Sequence, residues 1–123
     1  MMDDPLYREF IMDHWQHPHH VGKLHDPDFS ARRSNPTCGD IISLTGTVYE
    51  GKIIDIAYQA NGCAISVAAA SMLSDYVIDK PTKTFTDLTL EKFLIELGLK
   101  VSPARLNCAL LPFHTLKTAL EEM

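Results

Sequence analysis

The most constraining feature of the sequence is a pair of alternating, β-branched segments separated by a two-residue turn signal. Residues 41–49 and 52–59 alternate apolar and polar side chains, and Glu50-Gly51 stands between them. This pattern is typical of an antiparallel hairpin. The apolar positions expected on one face of the two strands are Ile42, Leu44, Val48, Ile54, Ile56 and Tyr58. A sheet with one apolar face has to be covered, so helices are expected on that side.

Helical patterns flank the hairpin. Residues 64–78 are apolar nearly all round, as in a buried helix. Further helices are predicted over residues 5–16, 88–97 (capped by Thr86-Asp87) and 103–122, the last kinked or split by Pro112. Turn-forming residues are frequent between Pro18 and Asp40, so this long segment is expected to be mobile or functional. The sequence predicts an α+β fold in which a small antiparallel sheet, the hairpin plus a third strand, packs against several helices.

Length and charge limit the classes of protein that this chain can belong to. Its 123 residues are predicted to form one domain, residues 1–123. The formal net charge of -5 has the wrong sign for generic binding to nucleic acid or to anionic membranes. The chain has no apolar run of transmembrane length, and its first residues are acidic where a signal peptide would be basic. We therefore expect a cytoplasmic protein.

Three cysteines, Cys38, Cys63 and Cys108, are the residues with the most distinctive chemistry. An odd number cannot pair completely within the chain, and the cytoplasm keeps thiols reduced. No C-x-x-C motif is present, so a shared metal site would have to be assembled by the fold. Buried, unreactive cysteines are the alternative, because free cysteine often behaves as a small hydrophobic residue.

Each cysteine has a neighbourhood that suits metal or sulfur chemistry. Cys38 and Asp40 flank Gly39 at the start of the first hairpin strand, and thiolate with carboxylate suits zinc or iron. Cys63 stands at the start of the apolar helix, where unpaired N–H groups favour the thiolate. Cys108 follows Arg105 by three residues in the last helix, and this cation would stabilise a thiolate or a bound polysulfide.

The other reactive residue types give weaker signals. None of the six histidines is nominated as a ligand, because histidines in such positions are most often surface groups or satisfied core groups. A cysteine hydrolase is disfavoured, since no histidine lies near a cysteine in the sequence and no oxyanion-hole signature is present.

Taken together, four ordered blocks of sequence resemble the IscU/SufU/NifU N-terminal family of iron–sulfur cluster assembly proteins. The blocks are Leu6 to Leu24, the Asn35-Pro-Thr-Cys-Gly-Asp40 segment, Asp55 to Met72 and Arg105-Leu-Asn-Cys108. The resemblance covers essentially the whole chain. It implies an α+β fold and a single exposed site that combines Cys38, Asp40, Cys63 and Cys108.

The resemblance also implies a function. Sulfur would arrive as a persulfide from a cysteine desulfurase, with Cys38, Cys108 and Arg105 accepting or stabilising it. The three cysteines and Asp40 would hold Zn²⁺ at rest and a transient [2Fe-2S] cluster when loaded, for delivery to recipient apo iron–sulfur proteins or carriers. The alternative is a zinc-dependent sulfurtransferase that activates a desulfurase and never holds a cluster.

Features of both main branches of this family occur in the chain. The N-terminal block and the Arg-x-x-Cys sequence are most similar to the SufU branch. The 45 residues from Cys63 to Cys108 lack the insertion typical of that branch, as in the IscU branch. Asn107 stands where the IscU branch carries a histidine, and Val101–Arg105 replaces its chaperone-recognition motif. A histidine ligand at that position and an Hsp70-type chaperone partner are therefore not predicted.

Overall fold

The computed structural model describes residues 5–35 and 39–123, with residues 5–8 described by their backbone only. In chain order its elements are helix α1 (Pro5–Gln16), strands β1 (Phe29–Asn35), β2 (Asp40–Tyr49) and β3 (Lys52–Asn61), helices α2 (Ala64–Val77), α3 (Thr82–Thr86) and α4 (Leu90–Leu97), a 3₁₀ turn (Pro103–Arg105) and helix α5 (Leu106–Glu121). The predicted α+β class is confirmed.

The hairpin forms as the sequence predicts. Strands β2 and β3 pair antiparallel, and the turn residues Glu50 and Gly51 both have positive φ, 51° and 79°. Two consecutive residues of this kind form the turn whose twist matches that of the flanking strands. On the covered face, Ile42 and Leu44 are each at most 2% exposed, because helices pack over them.

A β-bulge corrects the predicted face of one residue. The β2–β3 register shifts between Thr47 and Val48, so that Ile54 becomes the extra residue of β3. Such a residue breaks the two-residue alternation of side chains. Ile53 is consequently fully buried, whereas Ile54, predicted to face the core, is 45% exposed.

The third strand lies in the segment that turn-forming residues marked as mobile or functional. Strand β1 pairs antiparallel with β2 and forms the other edge of the sheet, in the order β1-β2-β3. Its sequence, FSARRSN, lacks the β-branched residues that identify strands from sequence. Pairing with β2 and the burial of Phe29 against Gly46 define this strand, and neither is a local sequence signal.

One helical prediction needs correction, and of the two alternatives for the last helix the structure excludes the split. Thr86-Asp87 ends the unpredicted helix α3, and the next helix is capped by the Thr89 hydroxyl, which accepts a hydrogen bond from the Lys92 N–H at 3.2 Å. As predicted, α4 ends at Gly98, which is left-handed. Helix α5 is continuous through Pro112 and is not split there.

Two helices form the layer that covers the sheet. Helix α2 packs on β3, α5 packs on β1 and β2, and the two helices contact each other, while α1 packs on α2. The hydrophobic core includes Leu73, Phe93 and Leu116, all fully buried. Among the described helices, none combines the length and the hydropathy that crossing a bilayer requires.

Tyr58 provides a pH test of this packing. Burial raises the pKa of Tyr58 to about 12. The Ser71 side chain lowers this pKa, and the negative charge of Asp75 raises it, but both effects are smaller than that of burial. Because the folded state holds the phenol proton more tightly, the free energy of unfolding should fall between pH 10 and pH 12, by roughly 3 kcal/mol at most. Denaturant unfolding should show this slope in the wild type and lose most of it in Tyr58→Phe. Substitution of the exposed Tyr49 by Phe should leave the slope intact, and an unchanged slope in Tyr58→Phe would contradict the assignment.

Candidate metal centre

Asp40 is a carboxylate buried at the end of the sheet. It is the first residue of β2 and only 2% exposed. Side chains two residues apart share a face of a strand, so Asp40 points to the same side as Ile42 and Leu44, toward the helices. A buried carboxylate needs hydrogen-bond donors, and the start of α2 supplies them.

The end of β3 and the start of α2 bring Cys63 to this carboxylate. Cys63 caps α2 and donates its backbone N–H to Asp40 Oδ1 at 3.0 Å. Its Sγ lies 3.9 Å from Asp40 Oδ2. A Cβ added at Gly62 would overlap the Asp40 carboxylate, so this close approach requires glycine.

Ser66 is a site residue that the sequence analysis missed. Its hydroxyl lies 2.7 Å from Asp40 Oδ2 and 3.7 Å from Cys63 Sγ. It is buried, and it supplies the carboxylate with a second donor. Its spacing from Cys63 was the available signal, because a residue three positions after a helix cap faces the same side.

Cys108 reaches the site from the first turn of α5. The proline inside that helix, Pro112, changes the hydrogen bonding of the Cys108 carbonyl. The Cys108 carbonyl would normally accept the N–H of residue 112, four positions later. Pro112 has no N–H, so this carbonyl lacks its usual intrahelical donor. The Ser66 hydroxyl lies 3.1 Å from the Cys108 carbonyl oxygen. The single proton of this hydroxyl therefore has two acceptors within reach, the Asp40 carboxylate and the Cys108 carbonyl.

The result is a compact set of metal-binding atoms from three elements. One carboxylate oxygen of Asp40 and the sulfurs of Cys63 and Cys108 all lie within 4.8 Å of one another. Two thiols and a carboxylate fit a borderline-soft divalent cation such as zinc or iron. Cys38, the other predicted ligand, lies outside the described residues. Arg105, predicted to support Cys108, is the exposed residue that precedes α5.

A second group of polar residues lies farther along α2. We call His14, His19, His20 and Asp75 the histidine group. The Asp75 carboxylate lies 2.6 Å from His19 Nδ1 and 2.9 Å from His20 Nε2. Burial and the neighbouring His19 lower the pKa of His14, against the opposing effects of Asp75 and Asp13. No histidine was predicted as a ligand, because histidines in such positions are most often surface or satisfied core groups, and Asp75 follows His19 only 56 residues later.

The fold and the meeting of Asp40, Cys63 and Cys108 agree with what the resemblance to the iron–sulfur cluster assembly family implies. The family model for the NifU-like N-terminal domain matches residues 6–123. The chain therefore belongs to this family, and the resemblance stated from sequence is confirmed.

Similar proteins carry scaffold and sulfurtransferase names. The iron–sulfur cluster assembly scaffold protein IscU of Streptococcus pyogenes is 38% identical, with 94% of this chain and 83% of that protein covered. The zinc-dependent sulfurtransferase SufU of Bacillus subtilis is 34% identical, with 93% and 88% covered. The crystal structure of a SUF-system scaffold, SufU of Fervidobacterium islandicum, has a TM-score of 0.77 and 26% identity, and covers 91% of this chain and 94% of that one.

Gly62→Ala tests the close approach of Asp40 and Cys63. The added methyl group displaces the carboxylate, so we expect the free energy of unfolding to fall by about 1–3 kcal/mol. Zinc affinity should drop at least about tenfold, the usual effect of disturbing a ligand's supporting contacts. Competition with a chelating dye measures the affinity.

Gly98→Ala is the matched control. Gly98 also has a special conformation, with φ of 66°, but no atom lies within 4 Å of an added Cβ. This variant should lose roughly 1 kcal/mol of stability and keep the wild-type zinc affinity. Equal zinc affinities in the Gly62→Ala and wild-type proteins would contradict the proposed role of Gly62.

Proposed function

We propose that this protein accepts sulfur from a cysteine desulfurase and assembles an iron–sulfur cluster on Cys38, Asp40, Cys63 and Cys108, for transfer to a recipient protein. The observation that carries the proposal is the meeting of Asp40, Cys63 and Cys108 donor atoms within 4.8 Å, from three separate elements. The IscU and SufU names of similar proteins support the same assignment.

The mixed donor set suits temporary storage of a cluster. Thiolates bind iron firmly, whereas a carboxylate oxygen is a harder ligand and exchanges more readily. Asp40 also accepts hydrogen bonds from the Cys63 N–H and from Ser66, so its oxygens have other partners when they release a metal. Cys38, Cys63 and Cys108 would then retain the cluster while Asp40 provides the position where an incoming ligand enters.

Sulfur acceptance is a thiol exchange that needs no external oxidant. A thiolate of this chain attacks the terminal sulfur of the desulfurase persulfide. The S–S bond of that persulfide breaks, the desulfurase cysteine leaves as a thiolate, and a new S–S bond forms on this chain. For each sulfur that becomes sulfide in a cluster, a thiol or ferredoxin-type reductant, supplied separately, would deliver two electrons, so that the S–S bond on this chain breaks and the cysteine returns to its thiolate form.

The difference in burial between the described thiols favours separate roles for the cysteines in accepting and in holding sulfur. Cys108 is only 4% exposed, and a buried thiol is a poor first acceptor from another protein's active site. We therefore assign the first acceptance to one of the other two cysteines, Cys38 or the half-buried Cys63, and the later holding of sulfur to Cys108. The exposed cation of Arg105, three residues before Cys108, would stabilise the anionic product.

A zinc-dependent sulfurtransferase is the second candidate function. It is favoured by the occurrence of Asn107, and not a histidine, before Cys108, and by the name of the Bacillus subtilis relative. The residues that would hold the ion are the same four. Zinc, when bound there, keeps the coordinating thiols deprotonated and so ready for sulfur exchange.

Anaerobic reconstitution with iron, cysteine, a cysteine desulfurase and a thiol reductant distinguishes the two functions. The scaffold function predicts a stable sulfide-to-iron absorption band with about two irons per chain, abolished in Cys63→Ser and in Cys108→Ser. The sulfurtransferase function predicts one tightly held zinc per chain, no such band and faster desulfurase turnover. A protein that neither forms the band nor stimulates the desulfurase would refute both.

Asp40→Ala tests the exchangeable ligand. We expect the variant's cluster to survive several-fold longer in the presence of an acceptor apoprotein, because the readily exchanged oxygen ligand is gone. The decay of the absorption band measures this lifetime, at a temperature where all variants remain folded. Asp40→Asn keeps the shape of the side chain and should be intermediate, and the exposed Asp87→Ala should match the wild type. Faster cluster loss in Asp40→Ala would contradict the role of Asp40 as the exchangeable ligand.

A further inference from the structure

We propose that the histidine group is a second metal site, which takes a divalent cation of the zinc class through imidazole nitrogens and a carboxylate. One ring nitrogen each from His14 and His19 and one carboxylate oxygen of Asp75 lie within 4.8 Å of one another. His20 adds a further imidazole on the same carboxylate. Histidine and carboxylate without thiolate form a common zinc ligand set. This inference does not depend on the proposed function.

The ring of His14 is held in an orientation that suits a ligand. Its Nδ1 lies 2.6 Å from Ser71 Oγ, which also accepts the backbone N–H of His19 at 2.9 Å. A hydroxyl oxygen can accept two hydrogen bonds. In the tautomer that carries its proton on Nδ1, His14 donates to Ser71 and keeps the lone pair on Nε2 for a metal ion. Metal-binding histidines are usually oriented by such a bond from the other ring nitrogen.

The loop that carries the other two histidines is fixed to the edge of the sheet. The Tyr58 N–H donates to the His20 carbonyl at 3.1 Å, and the Gly22 N–H donates to the Tyr58 carbonyl at 2.8 Å. Between these bonds His20 has a left-handed backbone, with φ of 63°. Non-glycine residues adopt this conformation rarely. Here it accompanies the contact of two consecutive side chains, His19 and His20, with one carboxylate.

Burial varies across the group in a way that leaves a path for an ion. The His14 side chain is buried, whereas those of His19 and Asp75 are 45% and 41% exposed. An ion would therefore approach from solvent and have His14 behind it. The 2.6 Å from His19 Nδ1 to Asp75 Oδ2 would widen to roughly 3.3 Å around an ion with bonds of about 2.0–2.1 Å. Both side chains are exposed enough to make this small movement.

Cobalt titration of the full chain tests the proposal, because Co²⁺ reports the ligand type by its colour. The cysteine site should give a thiolate-to-cobalt charge-transfer band. A second equivalent of Co²⁺, bound by the histidine group, should add only weak visible absorption. We expect two equivalents in the wild type, with the second lost or weakened at least about tenfold in His19→Ala and in Asp75→Asn. The charge-transfer equivalent should be unchanged in both variants.

His25→Ala is the matched control. His25 belongs to the same loop region, but its side chain is 96% exposed and its ion-pair partner is Asp26, outside the histidine group. It should bind both equivalents. Circular dichroism checks that each variant is folded, and Asp75→Asn preserves the shape of an exposed side chain. Saturation of the wild type at one equivalent with the charge-transfer band, or a second equivalent that survives in folded Asp75→Asn, would overturn the proposal. A wild-type protein that lacks the charge-transfer band but binds the weakly absorbing equivalent would count against the cysteine site and support the histidine group.

Discussion

The geometry of the cysteine site depends on the hydrogen bonds that the buried carboxylate of Asp40 accepts. Out of water, a carboxylate needs partners. It finds them in the Cys63 N–H and the Ser66 hydroxyl, both at the start of α2. These bonds join the first residue of β2 to the first turn of α2. Gly62 makes the contact possible, since any side chain there would occupy the same space.

The same polar contact extends to the third element of the site through a feature that would normally weaken a helix. A proline in a helix interior removes one hydrogen bond and crowds the carbonyl four residues earlier. In α5 that carbonyl belongs to Cys108, and Ser66 lies within hydrogen-bond distance of it. Pro112 thus couples the backbone of the last cysteine to the serine that supports Asp40. The helix is continuous through this proline, and the Ser66 hydroxyl lies where it can replace the hydrogen bond that the proline removes.

The elements that local patterns define were predictable, and those that tertiary contacts define were not. The hairpin and α2 follow from alternation and from a long apolar segment. Strand β1 has no such signal, and the exposure of Ile54 follows from a bulge that alternation cannot anticipate. Spacing alone left buried cysteines as an alternative to a shared site. Family resemblance supplied the expected meeting of Asp40 with the cysteines, whereas Ser66 emerged only from the three-dimensional contacts.

Helix α2 contributes a residue to each of the two sites, the cysteine site and the histidine group. Cys63 caps its first turn, and Asp75 lies twelve residues later, near its other end. At 1.5 Å per residue the two positions are roughly 18 Å apart along the helix axis. This spacing is about twice the distance over which salt at physiological concentration screens exposed charges. A cation held at Asp75, whose side chain is 41% exposed, is open to this screening. The repulsion between cations at the two ends is therefore weakened, and both ends can be filled at once.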